Sequence, residues 1–374
     1  MEKYSRWRDA GTGIQPFLPP VPPRTDSNLL STLSNVIHTI VGPIQGIVKL
    51  ALVLVTSLLY IILVPGIGLL LSPVRILQRW WDRCFSFILL RLVLFFIGFF
   101  FIKSETISLR RGSSRNNGNT NKEAKIKSGD IIVTNWTSYV DVLYLACKYK
   151  PVFTQVFPVE GKNVRRISFW QALRLCTQEP ALTPEDIGVH TSELYTVREL
   201  AEEAKSRHWG PIAIFPEGTT SNGRALLKFA PIFKCYEPSE RSNHFHILAF
   251  KYEYRNLPPT YTVGNQFWHF FKLCSQFHNT LGVRRLSSDD VPCNPAMTSS
   301  QQASDLASLA GTGTDDLVGG QLVVCLANMS RMRKTNLSMS DKRDFLEYYH
   351  SRFKDSARKR EQQTIKAASN KKVL

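Results

Sequence analysis

The run Ile214-Phe215-Pro216-Glu217-Gly218-Thr219-Thr220-Ser221-Asn222-Gly223-Arg224 concentrates the residue types of an anion site. A lone carboxylate, Glu217, precedes Gly218, the hydroxyls of Thr219, Thr220 and Ser221, and a second glycine turn, and the run closes on Arg224 and Lys228. Glycine and small hydroxyl residues let backbone N–H groups approach an anion closely, and neighbouring cations neutralise it. The chemistry this fits is recognition of a phosphate-bearing substrate. An ordinary strand-to-turn corner uses the same residues, so spacing alone leaves both readings open.

Such a loop needs rigid elements beneath it. Gly210-Pro211 is a breaker pair before the short apolar run Ile212 to Phe215, which predicts a buried strand ending at Pro216. Upstream, Ser192 to His208 predicts a helix, with Leu194, Val197, Leu200, Ala201 and Ala204 on one stripe and Glu193, Glu199, Glu202, Glu203 and Lys205 outside it. Ile131 to Asn135, Val152 to Pro158 and His246 to Tyr252 read as further strands, with helices at Tyr139 to Tyr149 and Ile167 to Cys176. Alternating strands and helices argue for an α/β fold, a mixed sheet flanked by helices. Asn265 to His278 is strongly aromatic and suits either core or membrane, and Leu322 to Met332 and Asp341 to Phe353 return as helices.

The chain has 374 residues and a formal net charge of +17, with basic groups at residues 103 to 127, 162 to 166 and 354 to 372. That excess asks for a polyanionic partner. No nucleic-acid-binding motif accompanies it, so the partner is expected to be a membrane face and not nucleic acid. The seven cysteines lie far apart without a CxxC pair, which predicts reduced, mostly buried thiols facing the cytosol. No carboxylate or histidine cluster has ligand spacing, so no metal is expected.

Before the α/β region the chain is apolar. Ile47 to Leu71 is long enough to cross roughly 30 Å of hydrocarbon, and it is broken at Pro65-Gly66. Phe85 to Ile102 is a second apolar segment with one charge at Arg91, and Trp80-Trp81 flanked by arginines between them suits a headgroup layer. The pair predicts a two-helix membrane hairpin, spanning or re-entrant, with the α/β domain on the cytosolic side. The expected organisation is an extended, proline-rich N-terminal arm (1–45), the hairpin (46–103), a basic linker (104–128), the main domain (129–293), a disordered insertion (294–320), C-terminal helices (321–355) and a basic tail (356–374).

The Phe215 to Thr219 run resembles the F-P-E-G-T signature of the glycerophosphate and lysophospholipid acyltransferases, and its continuation to Leu226 is similar to the lysophosphatidylcholine acyltransferase branch. Across Ile131 to Phe353 the likeness extends to three further motifs. Gly161 to Arg166 lies where the family's second motif lies, so Lys162, Arg165 and Arg166 are implied to bring cations to a lipid phosphate. Glu217, Gly218, Thr219 and Thr220 are implied to bind the glycerophosphate moiety, although Thr220 stands where the wider family often has arginine. Ile247 to Tyr252 resembles the fourth motif. No cofactor is implied; acyl-CoA is the co-substrate, and the implied partners are a lysophospholipid and membrane lipid.

The first motif departs from the family. It pairs a histidine with an aspartate, four residues lying between them, the histidine acting as general base toward the acceptor hydroxyl and the aspartate orienting it. Here Asp141 is present and Trp136 occupies the base position. Indole has no basic nitrogen, so it cannot accept that proton. Asp141 itself, or one of His190, His208, His244, His246, His269 and His278, is left to act as base. The N-terminus resembles a small fungal group of the family, at the endoplasmic reticulum and lipid droplet, in which the histidine is also replaced. The resemblance therefore implies acyl-CoA-dependent acylation of lysophosphatidic acid to phosphatidic acid. The alternative is a weakly active or inactive member that binds phospholipid or acyl-CoA in membrane trafficking or droplet organisation. Lys371-Lys372 near the carboxyl terminus matches a dilysine retrieval signal and agrees with an endoplasmic reticulum or droplet location with the domain facing the cytosol.

Overall fold

The computed structural model of the chain describes residues 4–22, 29–71, 73–109, 125–234, 236, 243–254, 256–292 and 316–352. Its centre is an eight-stranded mixed sheet with helices on both faces. In chain order the strands are β1 (Ile102–Ile107), β2 (Ile131–Thr134), β3 (Val152–Val156), β4 (Val164–Ile167), β5 (Leu194–Tyr195), β6 (Ile212–Ile214), β8 (Phe245–Glu253) and β9 (Thr280–Leu286), while β7 (Ala225–Leu226) pairs with β10 (Arg333–Lys334) in a separate ladder. The sheet order is β1-β9-β8-β2-β6-β3-β4-β5. Its centre, β8-β2-β6-β3, is parallel. Parallel strands are covered on both faces, which explains why the predicted strands are continuous apolar runs and not alternating ones.

Side chains alternate between two cores. Ile132, Ala213, Leu248 and Phe250 face α3 (Arg75–Ile97), α4 (Tyr139–Tyr149), α5 (Phe169–Leu175) and α7 (Gln266–Cys274). Ile131, Val133, Ile212, Ile214 and Ile247 face α6 (Val197–Arg207) and α8 (Leu317–Ser330). Capping boxes fix three of these helices at their starts: Ser138 with Asp141 on α4, Ser168 with Gln171 on α5, and Thr196 with Glu199 on α6.

The N-terminal apolar region differs from the expected hairpin. The helix α1 (Leu29–Ile61) runs through a π turn (Ile62–Gly66) into α2 (Ile67–Leu70), and Thr39–Leu70 is the one stretch among the described residues long and apolar enough to cross a membrane. The second segment is not its equal. Leu90, Val93, Leu94 and Ile97 of α3 are buried against Ile132, Val140 and Leu281, so one face of α3 belongs to the domain core. The hydrophobicity that suggested a membrane segment is in good part core packing, and Arg91 is accommodated because its guanidinium reaches the carbonyls of Phe99 (2.8 Å) and Phe100 (2.6 Å).

Other segments also lie elsewhere than the sequence suggests. Residues 102–107, divided in the sequence reading between hairpin and linker, form the edge strand β1 along β9. The N-terminal arm is packed: Trp7 and Phe17 are buried with Leu227, Phe345 and Leu346 of the C-terminal region. Asp316 caps α8 and residues 317–320 of the expected insertion are its first turn, while residues 294–315 and the basic tail lie outside the described residues. A last helix, α9, covers residues 339–352.

Candidate active site

Strands β2 and β6 are neighbours and parallel, so the loops that leave their carboxyl ends sit side by side. The first loop is Asn135 to Ser138, leading into α4; the second begins at Phe215. The loops are tied to each other. Glu217 is fully buried; its Oε1 accepts the Trp136 N–H (3.1 Å) and its Oε2 accepts the Leu227 N–H (3.1 Å). The Ser221 N–H donates back to the Trp136 carbonyl (2.9 Å), and the indole of Trp136 stacks on Phe215 with ring centroids 4.5 Å apart. Gly218 has φ +66, and a Cβ there would stand 2.7 Å from the Met339 sulfur, so glycine is required by both backbone and space.

Asp141 is also fully buried. Its Oδ2 accepts the N–H groups of Thr137 (2.8 Å) and Ser138 (2.9 Å) and the Thr137 hydroxyl (3.0 Å), and its Oδ1 accepts the Tyr252 hydroxyl in a short bond. These donors hold the turn in shape, so Asp141 closes the capping box of α4, whose N-cap is Ser138, as well as being a site residue. Among the described residues no histidine is a partner of Asp141. His246 pairs with Asp130 (3.2 Å) and Arg285 (3.3 Å), and His269 meets the Tyr139 hydroxyl (3.2 Å) and the Pro258 carbonyl (3.2 Å). Trp136 closes the site at the position the first motif gives to histidine: it is 3% exposed, and among the described residues its indole N–H meets no oxygen or nitrogen acceptor, with the Cys176 thiol as a side-chain neighbour. A buried donor left unmet costs about 1–3 kcal/mol, which a bound acceptor would recover.

The structure brings Trp136, Asp141, Glu217, Gly218, Thr219 and Thr220 together. It does not bring the second-motif cations to them. The Gly161 turn and β4 form a hairpin with β3 in which Lys162 pairs with Glu199 (3.5 Å) and Arg165 with Glu193 (3.1 Å). Arg166 lies flat over the Trp209 ring at 3.9 Å, beside a cleft bordered by the starts of β3 and α3. The strands β2, β6 and β3 run parallel, so that cleft is at the end of the sheet opposite Glu217.

The cation that does reach the loop is Lys342. It is 2% exposed and comes from the first turn of α9, and its ammonium donates to the Thr220 carbonyl and to Thr220 Oγ1 (2.8 Å). Nothing in Ser340-Asp341-Lys342-Arg343 distinguishes it from a solvated helix start. Tyr252 was more accessible to reasoning, since it follows Leu248 and Phe250 at strand spacing and faces the same core.

Burial sets the electrostatics. It pushes the Asp141 carboxyl up to about 6 against the pull of Tyr252, Thr137 and Ser138. It pushes Glu217 up to about 8, opposed by the two backbone N–H groups and reinforced by the charge on Asp141. It pushes Lys342 down to about 7, with Cys176 and Glu217 pulling back up. A carboxyl with a raised pKa holds its proton more tightly folded than unfolded, so its contribution to stability falls as pH rises through that window. Lys342 acts in reverse above pH 7, where the folded state holds fewer protons than the unfolded one. The Glu217 part can be isolated by difference. The stability advantage of the native protein over Glu217→Gln shrinks as pH rises from the unfolded carboxylate range toward about 8, measured by thermal unfolding in detergent. An advantage that grows over this range would mean the charged form is the favoured one.

No family model matches the chain, and no solved structure matches it significantly. Two curated proteins do. The chain is similar to a Schizosaccharomyces pombe protein that carries the name "Putative lysophosphatidic acid:oleoyl-CoA acyltransferase", 29% identical over 266 residues that make up 70% of this chain and 76% of that one. It is also similar to the lysophospholipid acyltransferase LPEAT1 of Arabidopsis thaliana, 28% identical over 278 residues, 68% of this chain and 64% of that one. With its paired loops and buried carboxylates, the chain is an O-acyltransferase of the lysophospholipid type.

Proposed function

We propose that the chain transfers a fatty acyl group from acyl-CoA to the free hydroxyl of lysophosphatidic acid, giving phosphatidic acid and CoA, at the endoplasmic reticulum or lipid droplet with its α/β domain facing the cytosol. The observation that carries this reading is the joining of the Trp136–Asp141 turn to the Glu217 loop by Glu217 and by the Ser221–Trp136 bond. The S. pombe relative's name supplies the acceptor and the donor. The Thr39–Leu70 stretch and the exposed Phe267 and Trp268 of α7 support work at a membrane.

In this reading the acceptor oxygen attacks the thioester carbonyl, a C–O bond forms, and the C–S bond to CoA breaks. Asp141 takes the hydroxyl proton at Oδ1, which Tyr252 alone holds among the described residues, and returns it to the departing thiolate. The indole N–H of Trp136, which has no oxygen or nitrogen acceptor among the described residues, turns from the Cys176 thiol to donate to the carbonyl oxygen as negative charge develops there. Purified full-length protein with labelled oleoyl-CoA and a panel of lysolipids tests the whole. Formation of phosphatidic acid is the expected result. Binding of both substrates without transfer would instead support a non-catalytic lipid-binding role.

The indole assignment has its own test. Trp136→Phe keeps the stacked ring and loses the donor, so kcat falls about tenfold to a hundredfold with KM little changed. Trp136→His gains nothing, because Asp141 Oδ2 is filled by Thr137 and Ser138 and an imidazole on Oδ1 would compete with the acceptor hydroxyl for the oxygen that takes its proton. A rise in turnover in the histidine variant would show that Asp141 exchanges Tyr252 for an imidazole.

A further inference from the structure

The cleft beside Arg166 has a volume of about 1040 Å³ and four cations on its walls: Arg79 of α3, Lys150 at the end of α4, Arg166 of β4 and Arg207 of α6. One carboxylate, Asp82, lines it and pairs with Lys150 (3.1 Å), while Arg207 is held by Glu203 (3.0 Å). Arg79 reaches only the Arg207 carbonyl, at 3.5 Å, and Arg166 meets only the face of Trp209. Among the described residues neither has a carboxylate partner. Four converging cations with two counter-charges repel one another, and a phosphate group, which guanidinium groups bind in a planar fork, removes that repulsion.

The cleft has an apolar continuation. Tyr60 and Phe169, with ring centroids 5.8 Å apart, border both the cleft and a groove of about 560 Å³ whose walls include Val53, Leu90, Val93, Trp170 and Phe267. Exposed Ile76, Leu77 and Trp80 stand on the helix that carries Arg79. A cationic cavity opening over an aromatic rim into an apolar groove matches a ligand with a phosphate at one end and hydrocarbon at the other. A free phosphate or a nucleotide would leave the groove without a role.

We propose that this cleft is a second lipid site, in which Arg79, Lys150, Arg166 and Arg207 hold the phosphate headgroup of an anionic phospholipid while an acyl chain passes Tyr60 and Phe169 into the groove. The cleft lies at the end of the sheet opposite Glu217, so the headgroup is held apart from the transfer loops, while the groove continues past Leu143 to Tyr139 at the start of α4; the assignment does not depend on the acyl-transfer reading. Its function is to seat the domain on anionic membrane at a fixed orientation.

The test uses full-length protein in phosphatidylcholine nanodiscs containing phosphatidic acid with a photoreactive group at the acyl end. Cross-linked peptides carrying Leu90, Trp170 or Phe267 are the expected product. Arg79→Glu, on an exposed helix position, and the Arg79→Ala/Lys150→Ala pair should each lower this labelling about tenfold. Glu217→Gln should leave it unchanged. Equal labelling by photoreactive phosphatidylcholine, or unchanged labelling in Arg79→Glu, overturns the proposal. Displacement by adenosine 3′,5′-bisphosphate or inorganic phosphate also overturns it, because the cleft would then be a site for soluble phosphates. Loss of labelling in Glu217→Gln would merge this cleft with the transfer site.

Discussion

Glu217→Gln removes acyl transfer by about a hundredfold or more while leaving the protein folded and membrane-bound. In its ionised form Glu217 accepts a different backbone N–H at each oxygen, from Trp136 and from Leu227, whereas an amide has only one accepting oxygen at any pH. The amide nitrogen of the variant therefore points a donor at a donor, and one of the two N–H groups loses its partner at a cost of about 1–3 kcal/mol. That cost is small against the many buried contacts of the two cores, so the fold survives. The register between the first-motif turn and the phosphate loop does not. Rates with labelled oleoyl-CoA, read beside the thermal midpoint, check this outcome. A variant with native rates would detach Glu217 from the chemistry altogether.

The second large effect is expected at Lys342. Lys342→Met preserves length and apolar stem and deletes the charge that meets Thr220 and acts on Glu217. The Thr220 carbonyl loses its donor and Glu217 its nearby cation, so kcat/KM for lysophosphatidic acid falls about a hundredfold. Charge and packing are separated by a rescue. Thr220→Arg, placed in the Lys342→Met background, returns a cation to the position where the family resemblance has one, and at least a tenth of the lost activity should come back. Native activity in Lys342→Met would mean the loop keeps its shape without the charge. Failure of the rescue together with a lowered thermal midpoint would assign Lys342 to packing alone.

The central parallel strands were legible because each is a short apolar run bounded by breakers, and Asp141 and Glu217 because motif and strand end coincide. Three things were not legible. The edge strand β1 reads as part of a polar linker since four of its six residues face solvent, and only β9 beside it makes it a strand. The helix α3 carries the same Leu and Phe content whether its partner is lipid or protein, so composition could not separate them. The approach of Lys342 to Thr220 spans more than a hundred residues of sequence and leaves no local pattern. The second-motif cations show the reverse problem: their spacing was clear, yet the β3–β4 hairpin aims Lys162 and Arg165 at glutamates and Arg166 at a tryptophan. Spacing along a strand fixes which residues share a face; which neighbours that face meets is decided by the rest of the chain.

The Glu217 loop is fastened from two remote directions. Asn222 takes hold of the N-terminal arm through its side-chain amide, which donates to the carbonyls of Gln15 (2.7 Å) and Leu18 (3.0 Å), while Lys342 enters from α9 and the arm itself lies on Phe345. During synthesis the arm leaves the ribosome long before its seat exists, because α9 is made more than three hundred residues later. The sheet can form around an arm still unattached. The loop is therefore expected to reach its working shape only after α9 has been made and docked and the arm has closed over it.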